Sequence, residues 1–227
     1  MFLTQRAAAK QVGKLAKTSK MPCDSWGIPA RACKTGAKLR KIKGSVCEKC
    51  YGSKGHYVMA TVDAAYTARL RHYNRLAKEG SAHIWREAMV TLIRAQSKRR
   101  KVDVFRWFDC GDLQGVEMLE NIVKVCKATP DIDHWLPTKE RGMLDQYLDK
   151  HKEGFPVNLW VRLSASMVDG NISGLFSKKY FGDVFGAFVH TEKQRKGAIV
   201  CQAYTRGGEC GECRACWDCS QVSYPLH

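Results

Sequence analysis

No stretch of this chain offers the roughly eighteen consecutive apolar residues that a membrane-spanning helix needs. The opening Met1-Phe2-Leu3-Thr4-Gln5-Arg6 lacks the continuous apolar core of a secretory signal, so the thiols are expected in a reducing cytoplasm. There is no Walker-type phosphate loop, no dinucleotide-binding glycine fingerprint and no nucleophile elbow, so the common nucleotide hydrolase, dehydrogenase and esterase readings have no motif behind them. Acidic residues are scarce: 22 Asp and Glu stand against 38 Lys and Arg, for a formal net charge of +16. Basic residues concentrate at Lys10, Lys14, Lys17 and Lys20, between Lys34 and Lys43, and in Lys98-Arg99-Arg100-Lys101. A surface of that sign draws phosphate backbones, nucleotides or an acidic host protein through salt-sensitive fields, although charge reports steering and solubility rather than fold.

Cysteine is what the chain has in excess, 11 residues of which nine fall into two groups near its ends. The first is Cys23, Cys33, Cys47 and Cys50; the second is Cys201, Cys210, Cys213, Cys216 and Cys219. Thiols two residues apart turn both sulfurs toward one centre, which is the usual way to hold zinc or an iron–sulfur cluster. A disulfide framework would need an oxidising compartment, and the odd cysteine count leaves one thiol over. Two metal centres are therefore expected, Cys23, Cys33, Cys47 and Cys50 at one and Cys201, Cys210, Cys213 and Cys216 at the other, with Cys219 surplus. The repeated spacing of the second group is closer to ferredoxin runs than to zinc ribbons, so two 4Fe-4S clusters are expected, with zinc as the alternative. Cys126 and Cys110 are expected to be buried thiols without metal.

The 227 residues, 44% hydrophobic, suit one domain. A cysteine-rich loop segment spans 1–57, helices and strand/helix units fill 58–200, and a cysteine-rich segment closes 201–227. Apolar periodicity predicts two helices from Val58 to Arg99, divided at Gly80-Ser81, and further helices over Val116 to Thr129 and Met143 to Lys150. Strand runs are expected at Val102 to Phe108, His134 to Leu136, Leu159 to Leu163, Ala187 to Val189 and Ala198 to Val200. This alternation predicts an α/β fold, an incomplete parallel (β/α) barrel whose ligand sits beyond the carboxyl ends of the strands. Those ends carry Asp109-Cys110-Gly111-Asp112, Pro137-Thr138-Lys139, Ser164-Ala165-Ser166, His190-Thr191 and Cys201. Trp107, Trp135 and Trp160 are expected to pack the core rather than stack bases.

Two resemblances follow from the motifs. Pro22-Cys23, Cys33, Cys47-x-x-Cys50-Tyr51-Gly52 with Gly55-x-Tyr57, and Cys201 ahead of Cys210-x-x-Cys213-Arg214-x-Cys216-Trp217 together resemble the phage-borne gene product eighty-eight family. The loop ending in Cys-x-x-Cys-Tyr, followed by helices and parallel strands, also resembles the radical S-adenosylmethionine enzymes. That second resemblance implies that Cys33, Cys47 and Cys50 hold three irons of a 4Fe-4S cluster while the fourth binds S-adenosylmethionine. It places Gly111 and Asp112 at the methionine amino group and Arg162 and Ser164 near the carboxylate or ribose. The chain departs from that pattern in the long interval from Cys33 to Cys47 and in Cys23, whose thiolate would close the cluster. The functions in view are an iron–sulfur enzyme acting on a nucleotide, nucleic acid or small metabolite, and a non-catalytic nucleic-acid-binding or host-factor-binding protein with two structural metal sites.

Overall fold

The computed structural model describes residues 3–175, 177–180, 182–191 and 196–226. An amino-terminal helix α1 (Gln5–Val12) is followed by a short strand β1 (Ser25–Trp26) and a one-turn helix α2 (Thr35–Leu39) inside the first cysteine segment. Two 19-residue helices come next, α3 (Ala60–Lys78) and α4 (Ala82–Arg100), separated by Gly80 at φ 69°, so the expected division holds. Beyond them strands and helices alternate: β2 (Val104–Trp107), α5 (Val116–Lys127), β3 (Asp133–Thr138), α6 (Arg141–Lys150), β4 (Leu159–Ser164), β5 (Val184–His190), β6 (Ile199–Val200) and β7 (Gln221–Pro225). No described helix is long and apolar enough to cross a membrane.

All seven strands join one parallel sheet in the order β1-β2-β3-β4-β5-β7-β6. The sheet is open, with β1 and β6 as its edges. From β1 to β5 the spatial order follows the chain, so each crossover steps the same way. Right-handed crossovers of that kind put their helices on one face, and α4 packs on α5 and α5 on α6.

Side chains alternate across each strand and divide the residues between two faces. Phe105, Trp107, Leu136, Val161 and Leu163 point into the main core, where they meet Trp85, Met89, Ile93, Leu119 and Ile122 from the helices. Their neighbours Val104, Arg106, Trp135, Trp160 and Arg162 take the opposite face. Among the described residues no α-helix covers it; instead Val104 and Trp135 pack with Cys23 and with Trp217 of a one-turn 3-10 helix, and Trp160 and Cys216 lean on that cluster. The two cysteine segments are the lid of the second face. Trp107 and Trp135 are core residues as expected, Trp107 in the main core and Trp135 in this second cluster, with Trp160 packed against it.

Candidate functional site

The loop carrying the first thiols is strapped across the carboxyl ends of three strands. Ile28 donates its N–H to the carbonyl of Cys110 beyond β2 at 3.0 Å, and the Tyr51 hydroxyl donates to the carbonyl of Asp109 at 2.8 Å. The Glu140 carboxylate, just past β3, accepts from both the N–H and the hydroxyl of Thr35 at 2.8 Å. Past β4, Val46 N–H reaches the carbonyl of Ser166 at 2.9 Å, and Val168 N–H that of Gly44 at 3.0 Å.

These straps gather Cys33, Cys47 and Cys50. Gly36 borders two of them: a Cβ there would stand in ordinary contact with the Cys47 sulfur at 3.6 Å and that of Cys33 at 3.7 Å. A Cβ at Gly52 would stand 3.7 Å from the Cys50 sulfur and only 2.9 Å from that of Cys110, so this glycine leaves room that the Cys110 sulfur needs. Cys33 feels Cys47, Cys50, Cys110 and Asp112 electrostatically, and burial pushes its thiol well above the ordinary value. Burial raises Cys47 as well, opposed by the Lys139 ammonium. A thiol held protonated this way becomes a ligand when a metal displaces the proton. Lys139 donates to the carbonyl of Ala165 at 2.7 Å; burial lowers its pKa, against the pull of Cys47, Asp112, Cys50 and Cys33.

Asp112 and Gly111 stand beside this group. Asp112 Oδ1 accepts from Leu113 N–H at 2.8 Å and the Thr138 hydroxyl at 2.6 Å, and Oδ2 accepts from Lys139 N–H at 2.8 Å. Burial lifts its carboxyl to about 6 in spite of those bonds. Gly111 adopts φ 83°, and a Cβ there would lie 2.4 Å from Ile28 Cγ1.

Cys23 does not join the first group. It is fully buried beside Trp217, and the thiol within its electrostatic reach is that of Cys210. Two straps account for the placement: Asp24 is gripped by Arg99 and Arg100, and Cys210 N–H donates to the carbonyl of Lys20 at 3.0 Å. Half of the basic run 98–101 thus pins this segment. Cys210 in turn neighbours Cys201 and Cys213, Cys216 neighbours Cys201, and Cys219 neighbours Cys213. Burial pushes Cys23 up to about 12 and Cys216 up to about 11.

Arg162 has a different task from the one expected. It is fully buried, and it donates to the carbonyls of Cys216 at 2.9 Å, Ala215 at 2.8 Å and Gly186 at 3.4 Å, and to that of Cys219. Four of its five N–H groups are spent on backbone, three of them on the carboxyl-terminal thiol loop. Ser164, two residues on, stands on the same face with its hydroxyl unpartnered among the described residues. His190, the one histidine at a strand end, is engaged with the Ser223 hydroxyl at 2.6 Å.

Arg106 and Lys139 are the residues to which sequence reasoning gave no role. Arg106 reaches the Tyr51 hydroxyl at 3.2 Å, lies 4.3 Å over the Trp135 ring and faces Cys23, Cys210 and Cys216 electrostatically, so it sits between the two thiol groups. Its signal was a charge inside the apolar run Val104-Phe105-Arg106-Trp107. Among the described residues, no three His, Cys, Asp or Glu side chains converge as a site for a metal ion.

A family model described as Gene product 88 matches residues 1–219. The chain belongs to the Gene product 88 family. Comparison with curated proteins and with solved structures gave no match. For this Gene product 88 chain the grouping of thiols is accordingly the main guide to chemistry.

Proposed function

We propose that this Gene product 88 protein is an iron–sulfur enzyme of the radical S-adenosylmethionine kind, with Cys33, Cys47 and Cys50 holding a 4Fe-4S cluster that keeps one iron open. The observation that carries the reading is the gathering of these three thiols, without Cys23, beside Lys139 and Asp112 at the carboxyl ends of a parallel sheet. The second cluster falls to four of the thiols Cys23, Cys201, Cys210, Cys213 and Cys216, one at each iron. The all-thiol donor sets fit a cluster, which takes one thiolate at each iron rather than four on one ion. The chain-ordered strands, with helices to one side, are those of a barrel segment.

When bound, such a cluster supplies an open coordination site for the methionine moiety and the electron that cleaves the cofactor. The chain's own residues do the rest. Asp112, buried, accepts from the ammonium of methionine with the lone pairs that Thr138, Leu113 and Lys139 leave free. Lys139 offsets the negative charge that three thiolates bring into a buried loop. The free hydroxyl of Ser164 is available to the carboxylate or ribose, and Arg162 holds the carboxyl-terminal loop.

Anaerobic purification followed by iron and acid-labile sulfide analysis tests the reading. Brown protein with iron and sulfide equivalent to two 4Fe-4S clusters is expected; colourless protein with stoichiometric zinc would overturn it.

A further inference from the structure

We propose that a basic cleft between α1 and α4 binds the phosphodiester backbone of a nucleic acid without regard to sequence. The inference rests on the cleft alone and is independent of what the thiols hold. The cleft encloses about 560 Å³, with Arg6, Lys10, Lys14 and Lys17 along one wall and Arg99 on the other. Arg6 and Lys10 stand four residues apart on one face of α1, and Lys14 and Lys17 join them in the lining from the non-helical segment that follows Gly13.

These four side chains are exposed, and none has a carboxylate partner among the described residues. Asp24, the only acid lining the cleft, is 1% exposed and already gripped by Arg99 and Arg100. These four cations therefore present uncompensated charge gathered in one groove. No aromatic side chain lines the cleft, so bases have nothing to stack on and the contacts are to phosphates. The apolar lining consists of two alanines and two leucines, too little for the hydrophobic centre on which a protein partner would dock.

Binding of fluorescein-labelled oligonucleotides of mixed sequence, single-stranded and duplex, measured by anisotropy between 50 and 200 mM salt, tests the proposal. Four phosphate contacts predict a slope of log K against log salt of about −2.8 for a single strand and about −3.6 for a duplex, a loss of roughly 50-fold or more across that range. The arm with the tighter binding identifies which form fits. Replacing Arg6, Lys10, Lys14 and Lys17 together by Gln should remove most of this slope. Replacing Lys124, Lys127, Lys152 and Lys178 by Gln takes away the same charge elsewhere and should leave most of it in place. Unchanged thermal melting of both variants shows that the fold is intact. Equal loss in the two variants, or competition by polyglutamate as effective as by unlabelled oligonucleotide, would overturn the assignment.

Discussion

Replacing Arg162 by Met would separate two roles that the sequence does not distinguish. If the guanidinium binds a cofactor, the variant keeps its fold and loses the ligand. The structure assigns it instead to the carbonyls of Ala215, Cys216 and Cys219, which hold the last thiol loop against β4. Each buried carbonyl left without a donor costs about 1–3 kcal/mol, and local relaxation returns part of this, so a loss of about 4 kcal/mol is expected. For a chain of this size that corresponds to a fall in melting temperature of roughly 8–16 °C. Arg162→Lys should recover only part of it, because one ammonium cannot reach carbonyls spread over five residues. Limited proteolysis should cut between 201 and 220 in the Met variant first, and iron should be lost from the carboxyl-terminal centre while S-adenosylmethionine affinity stays unchanged. A variant with wild-type melting and protease resistance but weakened cofactor binding would refute this reasoning.

Three further outcomes follow from individual side chains. Burial lowers His134 to about 3, so its neutral form contributes stability above the ordinary imidazole value near 6.5, and that contribution is lost as pH falls from there toward 3. Between pH 7.5 and 5.0 the wild type should lose about 2 kcal/mol more than His134→Gln in urea unfolding, and equal losses would show that the imidazole is not the cause. Gly111→Ala forces a Cβ to 2.4 Å from Ile28 at φ 83°, and should cost about 3 kcal/mol or give insoluble protein; a stable, wild-type-like variant would contradict the packing. Cys23→Ala should cost iron from the same centre as Cys210→Ala, so the double variant should hold no less iron than either single one. Additive losses would return Cys23 to the first group.

The helices were legible because their apolar faces repeat over long windows and Gly80 and Ser81 interrupt them. The strands between 102 and 200 were legible for a similar reason, since short apolar runs alternate with helical ones. Two strands were not. β1 is two residues long and exists through its pairing with Arg106 and Trp107, and β7 lies behind a cysteine run that drew the whole segment 201–227 into one metal-binding reading. β7 also enters between β5 and β6, an insertion that no local pattern announces. α1 was hidden in the same way, because only Ala8 and Val12 of its eight residues are buried.

Cysteine spacing marked the two ends of the chain as sites, but not the allocation of Cys23. That is decided by ion pairs from Asp24 to residues 75 and 76 positions away on α4, which turn the loop toward the second group. Arg162 was misjudged for a related reason: the carbonyls it serves arrive from more than fifty residues downstream. Cys110 is buried as its place beyond β2 implies, and its sulfur also sits close to the space over Gly52 that Cys50 borders.

On the proposed function, Cys110 is therefore the thiol that decides whether a cluster on Cys33, Cys47 and Cys50 keeps an open iron. The most direct measurement is electron paramagnetic resonance of the anaerobically reduced protein before and after adding S-adenosylmethionine, on the wild type, Cys23→Ala and Cys110→Ala. The account predicts a spectrum that changes with the cofactor in all three, together with 5′-deoxyadenosine formed under dithionite. A spectrum that the cofactor leaves unchanged in the wild type and alters only in Cys110→Ala would contradict it, identifying a closed four-thiolate cluster.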